Sequence, residues 1–141
     1  MKLSRDRIAS LMASWGEAWD RHDLDGVMAL FHDEVVFDNW TTGRAEGKEG
    51  LRKAWGPWFE NHGGFRFTPV DLFIDEEQQK VLYSWSLSWP SAEKGFAGLP
   101  EVRRGVDVIH FRDGLIVYKD TFSKTTLNID GRKARLSART S

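Results

Sequence analysis

The chain of 141 residues contains no cysteine. Disulfides, thiolate nucleophiles and cysteine-held metals are therefore excluded. Proline is scarce, at four residues, and two of them, Pro90 and Pro100, bracket one polar, glycine-containing stretch. No apolar run approaches the ~18 residues that cross a bilayer as a helix. The first residues also lack a signal-like apolar run, so a cytoplasmic protein with no membrane contact is expected. A basic excess is missing too: the formal net charge is −1, which argues against a nucleic-acid partner. Arg132, Lys133, Arg135 and Arg139 do cluster in the tail, and read as a solvated terminus. The four histidines, His22, His32, His62 and His110, are dispersed without ligand spacing, so no metal is expected. Neither a Gly-rich phosphate loop nor a nucleophile elbow occurs. Nucleotide chemistry and covalent catalysis thus have no motif behind them. Proton transfer without a cofactor, or plain binding, remains.

What the chain does have is aromatic mass. Seven Trp and nine Phe stand in an otherwise ordinary composition of 40% hydrophobic and 29% charged residues. Such a length makes one domain with a real core. Large aromatics fill wide spaces, and they also line pockets for flat apolar ligands.

In chain order, Ser4 can cap a helix carrying Ile8, Leu11, Met12, Trp15 and Trp19 at helical spacing. His22-Asp23 breaks it, and Asp23 can cap a second helix carrying Leu24, Val27, Met28, Leu30 and Phe31. Val35 to Trp40 reads as a strand, followed by a polar turn, Thr41 to Arg44. A third helix opens at Gly47 with Leu51, Ala54, Trp55, Trp58 and Phe59 on one side; Pro57 should bend it or mark a restart. Asn61-His62-Gly63-Gly64 ends it. Phe65 to Asp75 is a long strand in which Thr68-Pro69 marks a bulge or an edge. Val81 to Trp89 alternates apolar residues with Ser84, Ser86 and Ser88, the cleanest period of two in the chain. Residues 127–136 form a small hairpin.

Between these lies Arg104 to Ser123, two β-rich runs flanking Arg112-Asp113-Gly114, which signals a hairpin. Asp107 alternates with Gly105, Ile109 and Phe111. An acid among apolar strand residues is either on the solvent face or buried with a partner. A two-residue turn at Asp113-Gly114 sets Asp107 opposite Asp120. A three-residue loop with left-handed Gly114 sets it opposite Lys119, and this second register is preferred. Helices followed by a long meander make an α+β domain in which helices cover one face of a curved sheet and leave a conical cavity.

This order, and three stretches in particular, resemble the nuclear transport factor 2-like superfamily in its SnoaL-like branch, which holds ketosteroid isomerases and polyketide cyclases. The stretches are Asp23-Leu24-Asp25-Gly26-Val27-Met28-Ala29-Leu30-Phe31-His32-Asp33-Glu34-Val35, then Gly47 with Leu51 and Trp55, then Val106-Asp107-Val108-Ile109-His110-Phe111 with Gly114-Leu115-Ile116-Val117. The resemblance implies a cystatin-like α+β cone in one domain, 1–141, with its core at about 5–124 and an extension beyond. It implies that Asp107 is the pocket acid; the isomerase, a worked case of carboxyl tuning, keeps that acid protonated. The isomerase Tyr on the first helix falls at Trp15, and a pocket Tyr at Trp55. The catalytic base falls at Asn39 in a gap-free match and at Asp38 after a one-residue shift. The cyclase acid on the last strand falls at Thr121.

The expected site therefore has Asp107 and Asp38 as catalytic groups. Trp15, Asn39, Trp55, Trp85, Ile109, Lys119 and Thr121 are expected to contact a small, mostly apolar molecule bearing a carbonyl or hydroxyl. The outer sheet face, with Val106, Val108, Tyr118 and Phe122, is expected to pair two copies of the chain. A non-catalytic binding or assembly domain is the alternative.

Overall fold

The computed structural model describes residues 1–136; Arg139, counted above with the basic tail, lies outside them. Helix α1 (Arg5–Asp20) starts where the Ser4 hydroxyl accepts from the Arg7 N–H at 3.1 Å. It buries Ile8, Met12, Trp15, Ala18 and Trp19 along one face, as the 3.6-residue period dictates. Helix α2 (Leu24–Met28) is capped by the Asp23 carboxylate, which accepts from the Gly26 N–H at 3.0 Å. It stops earlier than its apolar residues suggest. Leu30 gives its carbonyl to the Ile116 N–H, and Phe31 already belongs to strand β1 (Phe31–Asp38). Tertiary pairing overrides helix propensity here.

β1 ends two residues sooner than expected, so the turn begins at Asn39, and Arg44 belongs to a short strand β2 (Arg44–Glu46) that pairs with Val36, Phe37 and Asp38. Helix α3 (Gly47–Glu60) runs through Pro57 without a break and buries Leu51, Trp55 and Phe59. Proline removes the N–H that would bond the Lys53 carbonyl, but Lys53 is exposed, so the helix tolerates it.

Strands β3 (Arg66–Asp75), β4 (Lys80–Pro90), β5 (Pro100–Arg112) and β6 (Leu115–Ser123) form an antiparallel meander. The sheet order is β2-β1-β6-β5-β4-β3, and β1 lies parallel to β6. β3 is an edge with a register shift between Pro69 and Asp71, a place where a missing N–H is harmless. A last hairpin, β7 (Thr126–Ile129) and β8 (Arg132–Arg135), adds β7 beside the start of β5. No helix among the described residues is long and apolar enough to cross a membrane.

The β5–β6 hairpin takes neither complete register foreseen. Its turn is Asp113-Gly114, with φ of 53° and 79°, the left-handed pair of a two-residue turn. Arg112 faces Leu115 and Phe111 faces Ile116, but His110 faces Tyr118, so Val117 is an extra residue. That bulge sets Asp107 opposite Thr121 rather than Lys119 or Asp120. One inserted residue exchanges the two faces of a strand. Lys119 and Thr121 consequently point inward beside Asp107, and Asp120 points out.

Candidate functional site

Helices α1 and α3 stand over the sheet and enclose a cavity of about 310 Å³. Its walls are aromatic: Trp15 and Trp19 from α1, Trp55 and Trp58 from α3, Phe37 from β1, Trp85 and Trp89 from β4. The seven tryptophans form one chain of ring contacts. Trp15 meets Trp19 at 5.5 Å, Trp19 meets Trp55 at 5.1 Å and Trp58 at 5.8 Å. Trp58 meets Trp89 at 5.7 Å, and Trp40 joins Trp89 at 6.2 Å to Trp85 at 6.0 Å. The tilted and edge-on geometries are those the ring quadrupole favours.

The polar floor comes from β5 and β6. Thr121 Oγ1 donates to Asp107 Oδ1 at 2.7 Å, and Lys119 Nζ donates to Thr121 Oγ1 at 2.5 Å and to Asp107 Oδ1 at 3.1 Å. All three residues are at most 5% exposed. The Lys119 ammonium also lies 4.6 Å from the Phe37 ring and 5.7 Å from the Trp55 ring. Burial holds the Lys119 amine below the ordinary lysine range, against the pull of Asp107 toward the charged form. Tyr83 lines the same cavity, and its phenol is pushed well up, first by burial and then by the nearby Asp107 charge. The buried indole N–H groups of Trp19 and Trp85, both from cavity-lining residues, have no acceptor among the described residues.

A helix-covered half-cone of this order, closed over an acid on the penultimate strand of the meander, meets the sequence comparison directly: the profile of the SnoaL-like domain matches residues 12–119. The chain belongs to the SnoaL-like domain family. No curated protein matches it in sequence. Solved structures share the fold. A cystatin-like-fold protein of unknown function from Methylobium petroleophilum is 22% identical with a TM-score of 0.70, covering 87% of this chain and 79% of that one. A candidate polyketide cyclase from Xanthomonas campestris is 21% identical with a TM-score of 0.69, over 84% of this chain and 90% of that one. A candidate ketosteroid isomerase from Kribbella flavida is 17% identical with a TM-score of 0.66, over 84% and 78%.

Within this SnoaL-like cavity the fold brings together Trp15, Asn39, Trp55, Trp85, Asp107, Lys119 and Thr121. Two of the anticipated residues are elsewhere. Phe37 points inward on β1, so Asn39 follows it into the cavity and Asp38 turns out. Asp38 forms a bidentate pair with Arg44 at 2.7 and 2.8 Å and accepts from the Tyr118 hydroxyl at 2.6 Å. Those hydrogen bonds, Arg44 first, lower its carboxyl to about 2; it is a half-buried acid tied to Arg44 and Tyr118 and does not line the cavity. Ile109 is fully buried between Val81 and Lys119 and packs in the core without lining the cavity.

The sequence reading missed Tyr83, Trp19, Phe37 and a second buried polar cluster at the mouth. Arg103 Nε donates to Glu101 at 2.8 Å, and its NH2 group donates to Glu93 at 3.1 Å. The guanidinium lies over Trp40 at 4.7 Å and Trp89 at 5.7 Å. Glu101 also accepts from Ser91 at 3.0 Å and from the Trp89 indole. Burial alone would raise the Glu101 carboxyl, but the bonds from Arg103 and Trp89 outweigh it and hold it low. The signal was present: Glu101, Arg103, Gly105 and Asp107 share one parity, so all belong to the inward face. The polar connection between Pro90 and Pro100 places Ala92 and Glu93 at the cavity wall.

Proposed function

We propose that this SnoaL-like protein binds a small, mostly apolar molecule bearing a carbonyl or hydroxyl, and moves a proton on it without a cofactor. One observation carries the reading: a buried carboxylate, Asp107, sits on the floor of an aromatic cavity large enough for a ligand. Held beside Lys119 and Thr121, Asp107 is a base or anchor rather than a neutral donor. The unpartnered Trp19 and Trp85 N–H groups and the Tyr83 hydroxyl suit an oxygen acceptor on the ligand, and Asn39 contacts its far end. A positioned base α to a carbonyl contributes ~10²–10⁴-fold. Native mass spectrometry of fresh protein, followed by organic extraction, tests occupancy and names the ligand class. With that ligand, Asp107→Asn should stay folded and lose turnover by this factor; wild-type rates would refute the assignment.

A second reading concerns assembly, and one observation favours it. The outer sheet face sets Phe73, Leu82 and Phe122, which are 63%, 41% and 51% exposed, in adjoining rows with Val106 and Val108. Two copies pairing through this face would cover it. Light scattering at micromolar concentration gives a dimer mass if so; a monomer rules it out.

A further inference from the structure

Lys119 is the only amine among the described residues that line the cavity. Its two hydrogen bonds, to Thr121 Oγ1 at 2.5 Å and Asp107 Oδ1 at 3.1 Å, occupy two N–H groups. Among the described residues nothing accepts a third; the remaining side meets the rings of Phe37, Trp55 and Trp15 at 4.6, 5.7 and 6.0 Å. A neutral amine fits this surrounding well, with both hydrogens bonded and a lone pair left over. Burial pushes the group in that direction, which is how lysines become nucleophiles. Asp107 stands in contact to take and return the proton. Serine and cysteine nucleophiles announce themselves by local motifs; an amine does not, which is why no covalent step was legible in the sequence.

We propose that Lys119 captures an aldehyde or ketone in the cavity as an imine. The inference rests on the reading above that the cavity holds a carbonyl compound. The Lys119 ammonium gives a proton to Asp107, and the freed amine adds to the carbonyl carbon. A C–N bond forms, and the C=O π pair moves to oxygen, which takes the proton back from Asp107. The nitrogen of this carbinolamine then loses a second proton through Asp107 to the hydroxyl, which leaves as water. The nitrogen lone pair closes the C=N bond, which leaves one hydrogen and the positive charge on nitrogen as the protonated imine, with Asp107 ionised again. In sum, a carbonyl and an ammonium become an iminium and one water, with no oxidant or reductant.

The test uses the full chain with one equivalent of 2-naphthaldehyde and sodium cyanoborohydride, read by intact mass and peptide mapping. One adduct is expected, heavier by the aldehyde less its oxygen, at Lys119 and formed about tenfold faster than at any of the seven other lysines. Lys119→Met should abolish it. Because that variant leaves buried Asp107 with only the Thr121 hydroxyl, the map of the unmodified chain decides alone if the variant fails to fold. Adducts scattered over the surface lysines overturn the proposal. Calorimetry with 2-naphthol, which has no carbonyl carbon, separates the two readings. If the naphthol binds and the aldehyde is not trapped at Lys119, the imine fails and the cavity reading stands. If neither is held, both fail.

Discussion

Replacing Arg103 by Met should be the most damaging single change at the cavity mouth. The Arg103 and Glu101 side chains are 1% and 0% exposed, so water does not screen their pairing. Methionine keeps an apolar stem between Trp40 and Trp89 but removes every charge-assisted bond to Glu101. The carboxylate would keep only the Ser91 hydroxyl and the Trp89 indole. Stranding one member of a buried pair costs about 3–5 kcal/mol, and the loop would lose its Glu93 tie as well. The double variant Arg103→Met with Glu101→Gln strands no charge and should recover most of that loss. The pH dependence has a definite sign. Glu101 is held low in the folded protein, so its contribution is present above the ordinary glutamate value of about 4.3 and fades as pH falls through the lower folded value. The gap between wild type and Arg103→Met should therefore narrow on acidification below about pH 4. Urea unfolding followed by circular dichroism at pH 7 and in this acid range measures it. A single variant within about 1 kcal/mol of wild type, or a double no more stable than the single, would refute the account.

Gly105→Ala should cost about 1–3 kcal/mol by overpacking, because a methyl there would overlap the Trp85 indole and the Phe122 carbonyl oxygen; unchanged thermal unfolding would show that Trp85 moves freely. The chain has only two tyrosines, and both should ionise late. Tyr118 is raised to about 12, chiefly by its bond to Asp38, and Tyr83 is raised further by burial, so ultraviolet titration should show no phenolate near pH 10. Asp38, lowered to about 2 by Arg44 and Tyr118, contributes above the ordinary aspartate value and loses that contribution as pH falls toward 2. Asp38→Asn should flatten the acid limb of the stability profile without altering ligand affinity; a weakened ligand would put Asp38 back at the site.

Much of this was legible because strand parity is a strict rule. Asp107 with Ile109 and Phe111 marked the inward face of β5, and the helix periods around Trp15 and Trp55 located the walls. The same rule settles Asp38 against Asn39 once Phe37 is known to point inward, but nothing local says which way Phe37 faces. The inward face of β6 was legible, since the preferred loop turned Lys119 toward Asp107, but its register was not: the turn has two residues, and a bulge at Val117 restores that face with Thr121 opposite Asp107. Bulges depend on how the sheet curls, which no window of β6 encodes. Glu101 and Arg103 were passed over for a different reason. Charges at a strand start read as solvent-facing until β7 and the loop beyond Pro90 are known to cover them.

The unbroken contact chain of the seven tryptophans has an optical consequence. At these separations excitation passes from ring to ring faster than it is emitted, so the protein has one shared fluorophore rather than seven. A single Trp→Phe change will not assign the spectrum to a site. A guest that quenches any one ring darkens the whole set, and the near-ultraviolet dichroism of the coupled rings shifts with it. Occupancy can be read from the unlabelled protein by light alone.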